Sequence, residues 1–316
     1  MKNMKNLLLV LFGLFLTAAP ATAQTIIDLE KGGKVRAKTI DDYKAEARMA
    51  EIARRDSVAY VGLVRSGFTS LAADSLNEAE ENLKRAIKLR PDAPGNHVLR
   101  YNLALIEMAR GESKKAEKTL TDILKKHPDY VDARLARGEA YLQNGKDAEA
   151  VEDAKKVLES DEEISREMKA RAHFVCAAGY YAAHRFVEAK SELLQHLRLR
   201  PDNVNARLLE ALILLQMGQS VESLNRLNAI VSANPDHLDA LRTRAEVQTQ
   251  LNMLQPAKGD YDRLIELCPN DASLFVERAR VLITLGEKRA AARDLDKAVE
   301  LGMPTGMVQS LRMLVR

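Results

Sequence analysis

Apolar residues recur along most of this chain at spacings of three and four, in paired stretches separated by a turn. Such spacing places them on one face of a helix, so each pair of stretches predicts a helical hairpin. The frame is set by Pro201, Pro235 and Pro269, which stand 34 residues apart twice in succession. Each proline closes one hairpin. A strict period of this length marks stacked units, none of which can bury its apolar face without its neighbours.

Seven units follow from that frame. The first begins near Tyr60, the second at His97, the third at Val131, the fourth at Ala170 and the seventh at Ala272, with the fifth and sixth between Pro201 and Pro269. The period is disturbed twice. Pro94 to Asn96 widen the junction before the second unit. Glu162 stands where the third unit's closing proline would be, and Ile164 to Lys169 hold about five residues beyond the period. The helix before them, or the loop, is expected to be longer. Ahead of the array a helix is expected from a Thr39 cap to about Arg55, covering the open end. After Pro304, Met307, Val308, Leu311, Leu314 and Val315 form one stripe and predict a C-terminal capping helix.

Within the units two positions stay small. First helices carry Gly67, Ala104, Gly138, Ala177, Ala211, Ala245 and Ala279; second helices carry Ala79, Ala116, Ala150, Ala189, Ser223, Ala257 and Ala291. Two helices can cross closely only where neither presents a bulky side chain. These residues resemble the tetratricopeptide repeat family from Tyr60 to Thr305. The chain departs from the family at the bulky aromatic of the first helix, whose place is taken by Leu63, Arg100, Arg134, His173, Arg207, Leu241 and Phe275.

The resemblance implies an all-α, right-handed superhelical array of about seven hairpins, whose first helices line a concave side. The side chains expected there are Phe68, Tyr101, Leu105, Leu135, Glu139, Phe174, Leu208, Leu212, Arg242, Glu246 and Arg280. A protein or peptide partner would use Phe174 and Leu208 as apolar anchors, with Arg242 and Arg280 setting orientation. The carboxylate clamp of the family's chaperone-tail receptors is not reproduced: Asn102 fits it, but Asp132, Ala136, Arg171 and Val175 do not.

Composition supports the helical reading. Aromatic residues make up 4% and Trp is absent, too few for a sandwich or barrel core. The N-terminus carries Lys2 and Lys5, the apolar run Leu7 to Leu16, then Ala21 and Ala23 before Gln24. That is the layout of a cleaved signal peptide, too short to span a bilayer. The leader resembles bacterial export signals, which would place the mature chain in the periplasm or outside the cell, with no stable membrane span after cleavage. Removing Lys2 and Lys5 takes the formal charge from +3 to +1. Basic and acidic residues are interleaved, so nucleic acid is an unfavoured partner.

Candidate chemistry is sparse. His173 and Cys176 share a helix face at ligand spacing, but no second pair follows, so core packing is the expected role. Cys176 and Cys268 lie in different units, on the order of 20 Å apart if helices pack at about 9 Å; no disulfide is expected. Gly138 with Gly145 and Lys146 lacks the strand a phosphate loop needs, and Asp161 to Glu163 lie in a polar loop. No enzyme activity, metal or cofactor is expected. The organisation read from the sequence is 1–23 signal peptide, 24–59 lead-in and helix, 60–305 repeat array and 306–316 cap. The functional expectation is a non-catalytic interaction scaffold or adaptor of the bacterial cell envelope. The alternatives are a glycan-binding accessory subunit, with Phe68, Tyr101, Phe174 and Tyr181 as platforms, or a self-assembling structural component.

Overall fold

The helix-favouring composition and the 34-residue period resolve into fifteen helices and no strand among the described residues. This computed structural model describes residues 40–161 and 163–315. The leader, the lead-in, the Thr39 cap and Glu162 lie outside them. The chain divides into two units, 1–128 and 129–316.

The first unit holds α1 (Ile40–Ala72), α2 (Leu76–Leu89), α3 (Asn96–Ala109) and α4 (Ser113–Lys126). The pause expected between Arg55 and Tyr60 is absent: α1 is one helix of 33 residues. Nothing there breaks it, since proline is missing and an interior glycine such as Gly62 costs only about 1 kcal/mol. From Lys44 to Arg55 the side chains are exposed, so among the described residues this half covers no end of the array. Packing begins near Tyr60. At Gly67 an added Cβ would stand 2.7 Å from Leu83 Cδ2, so a larger residue at the close crossing of α1 and α2 would force the Leu83 side chain to move. At the widened junction Asn96 is buried. Its Nδ2 donates to the carbonyls of Arg90 and Pro91 at 2.7 and 2.9 Å, and its Oδ1 accepts from the Tyr60 hydroxyl at 3.1 Å. One amide thus satisfies carbonyls that the end of α2 leaves without helical partners.

The second unit holds α5 (Val131–Gln143), α6 (Asp147–Leu158), α7 (Arg166–Ala182), α8 (Phe186–Leu199), α9 (Val204–Gln216), α10 (Ser220–Ala233), α11 (Leu238–Gln250), α12 (Leu254–Leu267), α13 (Ala272–Thr284), α14 (Lys288–Glu300) and α15 (Thr305–Val315). The extra residues near Ile164 do not lengthen α6, which stops at Leu158. The loop is longer and the remainder forms an added first turn of α7, capped by Ser165, whose side chain accepts from Met168 N. Gly179 lets α7 approach α6: a Cβ there would meet Val151 Cγ2 at 2.6 Å and Asp147 O at 3.0 Å.

The small positions behave as the pattern demands. In both units their alanines are fully buried, and Ser223 Oγ donates to Ala211 O at 2.7 Å, a hydroxyl satisfied inside the crossing. Each hairpin turn places one residue in the left-handed region. Glycine serves at 111, 145, 218 and 286; Asp74, His184 and Asn252 adopt it with φ of 60°, 57° and 57°. The C-terminal stripe is narrower than expected. Val308 and Leu311 of α15 are buried, whereas Met307 and Leu314 are exposed.

Candidate partner-binding surface

Of the residues assigned to the concave side, Phe68 on α1 with Tyr101 and Leu105 on α3 lie in the first unit and are half-buried. The others lie in the second unit, where the 34-residue period lines them up in two rows. One row is Phe174, Leu208 and Arg242 on α7, α9 and α11; the other is Leu212, Glu246 and Arg280 on α9, α11 and α13. Leu135 was expected on the same surface, but it is fully buried in a cluster with Ala172 and Val175 of α7. The preceding end is closed further by Arg171, which forks onto Glu139 with two bonds of 2.9 and 2.8 Å. Accessible apolar surface therefore begins at α7. Phe174 sets its ring 5.2 Å from that of His196 and stays half-buried, as do Leu208 and Leu212.

The charged end differs from the expectation in its sign. Arg242 was assigned to orient a partner, yet its Nη2 sits 2.9 Å from Asp271, the residue that caps α13 by accepting from Ser273 N. Arg280 lies 3.5 Å from Glu277 on its own helix. Glu246 remains solvent-exposed, yet the protein packed around it pushes its carboxyl pKa up by partial desolvation, with Arg242 opposing and Glu277 adding.

Within the hairpins runs a set of paired charges that the interleaving of acidic and basic residues along the sequence did not reveal. Arg244 forks onto Asp260 at 2.7 and 2.6 Å, Arg278 onto Asp294 at 2.8 and 2.7 Å, and Arg137 onto Asp153 at 2.7 and 2.9 Å. The three aspartates are buried. Each pair ties the two helices of one hairpin, and Arg278 also reaches back to Asp262 at 2.8 Å, as Arg312 of α15 does to Asp296 at 2.5 Å. In the fifth hairpin the charges are exchanged: Glu210 faces Arg226 at 3.2 Å. The signal was present in the sequence, since Arg244, Arg278 and Arg312 are 34 residues apart, as are Asp260 and Asp294.

A second missed group is His196, buried where α7, α8 and α9 meet. Its Nδ1 lies 2.7 Å from Ala170 O and its Nε2 3.0 Å from Asn203 Nδ2. The carbonyl requires a proton on Nδ1, so Nε2 accepts from Asn203. Asn203 in turn caps α9 through Ala206 N. Burial pushes the His196 pKa down, against the backbone hydrogen bond, which raises it; the ring is held neutral.

His173 Nδ1 meets Glu192 at 2.7 Å, and Cys176 is a buried free thiol whose pKa burial pushes up to about 12. Cys268 is also free. Asn102 donates to Val98 O of its own helix at 2.8 Å, so it is not aimed at a peptide terminus. Among the described residues no group of three or more His, Cys, Asp or Glu is arranged to hold a metal, and no helix is long and apolar enough to cross a membrane.

Comparison with known proteins fits this geometry. Two family models described as Tetratricopeptide repeat match the chain, one over residues 101–163 and one over 70–130 and 180–247. DnaJ homolog subfamily C member 3 of Rattus norvegicus is 36% identical over 107 residues, 34% of this chain and 21% of that protein. The chain thus matches about a fifth of that relative's length. A tetratricopeptide repeat protein from Parabacteroides merdae superposes with a TM-score of 0.59 at 24% identity, over 81% of this chain and 98% of its own. The pilF protein of Pseudomonas aeruginosa superposes at 0.56 with 20% identity, over 69% and 96%. These structures share the fold.

Proposed function

This chain belongs to the tetratricopeptide repeat family, in general a non-catalytic protein interaction scaffold, and from that premise we propose that it is an envelope adaptor holding a protein or peptide on the first helices of its second unit. One observation carries the site: Phe174 on α7 and Leu208 on α9 stand in register, Leu212 lies one turn further along α9, and all three keep part of their apolar surface open to solvent. Apolar side chains at the centre of such a patch supply most binding energy once desolvated, while rim charges set approach and register. The export address rests on Lys2, Lys5, the run Leu7 to Leu16 and the small residues Ala21 and Ala23.

Capture from envelope extract tests the site. Phe174→Ala combined with Leu212→Ala is expected to weaken capture of a partner, each change by about 1–3 kcal/mol if it removes a hot spot. Lys114→Ala with Lys118→Ala, on exposed positions of α4, leaves capture intact. The reverse pattern, with the apolar pair folded and fully active, would move the binding surface elsewhere. Intact-mass measurement tests the address: the mature chain is expected to begin within a residue or two of Gln24, and retention of Met1 on a cytoplasmic protein would remove the envelope from the proposal.

A further inference from the structure

The apolar residues of α7 and α9 lead to a carboxylate that, among the described residues, takes no hydrogen bond or ion pair. Phe174, Leu208 and Leu212 lie on α7 and α9; one 34-residue step beyond Leu212, on α11, is Glu246. Among the described residues no hydrogen bond or ion pair takes up its carboxylate. The arginines beside it are differently placed. Arg242 is drawn off by Asp271 at 2.9 Å and Ser273 at 3.5 Å, and Arg280 is shared with Glu277 at 3.5 Å. Arg242, Arg280, Glu246, Asp271 and Glu277 together carry one net negative charge. A ligand with an acidic group here would have to displace an existing pair; a ligand with a cation would meet an open acceptor.

We propose that the second-unit groove selects a peptide segment in which an apolar side chain, seated on Phe174, Leu208 and Leu212, is followed by a lysine or arginine that pairs with Glu246. This rests on the groove reading above and adds the chemistry of the occupant. Neighbouring first helices are about 10 Å apart, and an extended strand rises about 3.3 Å per residue. The basic side chain therefore stands roughly three to six positions from the apolar anchor. The pKa of Glu246 is raised, first by the protein packed around it, with Arg242 opposing and Glu277 adding, although the carboxylate itself stays open to solvent. Tyr261 on α12 shares this surrounding, and its hydroxyl pKa is pushed up, through burial first, then Glu277 and Glu246. A charge-assisted bond formed there is stronger than a neutral one.

The test is selection of a random twelve-residue peptide library, displayed on phage, against the full chain. Peptides enriched on the unaltered protein are expected to carry Lys or Arg at that separation from an apolar residue. Glu246→Gln should weaken such peptides by roughly tenfold, as loss of a charged hydrogen bond implies. Selection repeated on Glu246→Lys should retain the apolar residue and switch the charged position to Asp or Glu. Both variants change an exposed side chain, and a thermal melt matching the unaltered protein establishes that they fold. Enriched peptides that keep the apolar residue but show no basic preference, or that bind Glu246→Gln undiminished, overturn this inference and leave the groove standing. A library that enriches nothing, or peptides indifferent to Phe174→Ala with Leu212→Ala, overturns the groove reading and this inference with it.

Discussion

The fourth and fifth hairpins and the sixth and seventh hairpins of the second unit solve one packing problem by different means. In the sixth and seventh, buried Asp260 and Asp294 are each gripped by a forked arginine, and Arg278 and Arg312 extend the ladder to the preceding hairpin at fixed steps of 34 residues. In the fourth and fifth the ladder lapses. The fourth has Cys176 where the arginine would stand, and the fifth exchanges the charges, leaving Arg226 mostly exposed. What joins them is a buried neutral imidazole, His196, held between Ala170 O and Asn203. The difference matters for function because the charged hairpins are satisfied internally, whereas α7 and α9 present half-buried Phe174, Leu208 and Leu212.

That contrast can be broken most sharply at the ladder. Removing one member of a buried pair leaves an uncompensated charge, so Arg278→Ala should destabilise by about 3 kcal/mol, with adding Asp294→Asn returning part of the loss. Urea unfolding of the two single variants and the double variant reads it. Additive losses would show that the pair is not coupled. Next in size is the crossing itself. Ala211→Leu forces a larger side chain between α9 and α10 and should cost roughly 1–3 kcal/mol, with increased hydrogen exchange concentrated in the flanking hairpins. Unchanged protection there would mean that the small residue is not at a contact.

The imidazole joint gives a smaller, pH-dependent effect. His196 has a depressed pKa in the folded chain. Its stabilisation is therefore complete above the unfolded value of about 6.5 and is lost as pH falls through the lower folded value. Asn203→Ser keeps a capping oxygen but is too short to reach the ring, so it should cost about 1 kcal/mol near neutrality. It also removes a donor that favours the neutral ring, so stability should fall less steeply with acid than in the unaltered protein. Melts at two pH values with identical slopes would place His196 outside the joint. Smallest of all, His184→Gly should stabilise by about 1 kcal/mol, since His184 holds a φ of 57° that glycine adopts without penalty. Asn252→Gly should gain less, because asparagine tolerates the left-handed region.

Much of the fold was legible because steric need recurs with the period. Ala177, Ala211, Ala245 and Ala279 announce a close crossing wherever they stand, and seven hairpins followed from them. The ladder recurs with the same period but went unread, since an arginine on a helix reads as solvated until a buried aspartate is known to face it. Asn96 and His196 left no periodic trace: Asn96 bonds the Arg90 and Pro91 carbonyls and His196 bonds Ala170 O and Asn203, groups that only the tertiary structure brings together. At the site, register alone grouped Phe174, Leu208 and Leu212, which the structure leaves half-buried, with Leu135, which the cluster around Val175 buries. Register also assigned Arg242 to a partner without revealing that the cap of α13 already holds it.

The central claim is that a partner lies on the first helices of the second unit. Hydrogen exchange, compared for the full chain alone and saturated with a peptide selected from the displayed library, tests it most directly. The account predicts new protection in α7 around Phe174 and in α9 around Leu208 to Leu212, with α8 and α10 unchanged on their outer faces. Protection confined to α8 and α10, with α7 and α9 exchanging as in the free protein, would contradict it.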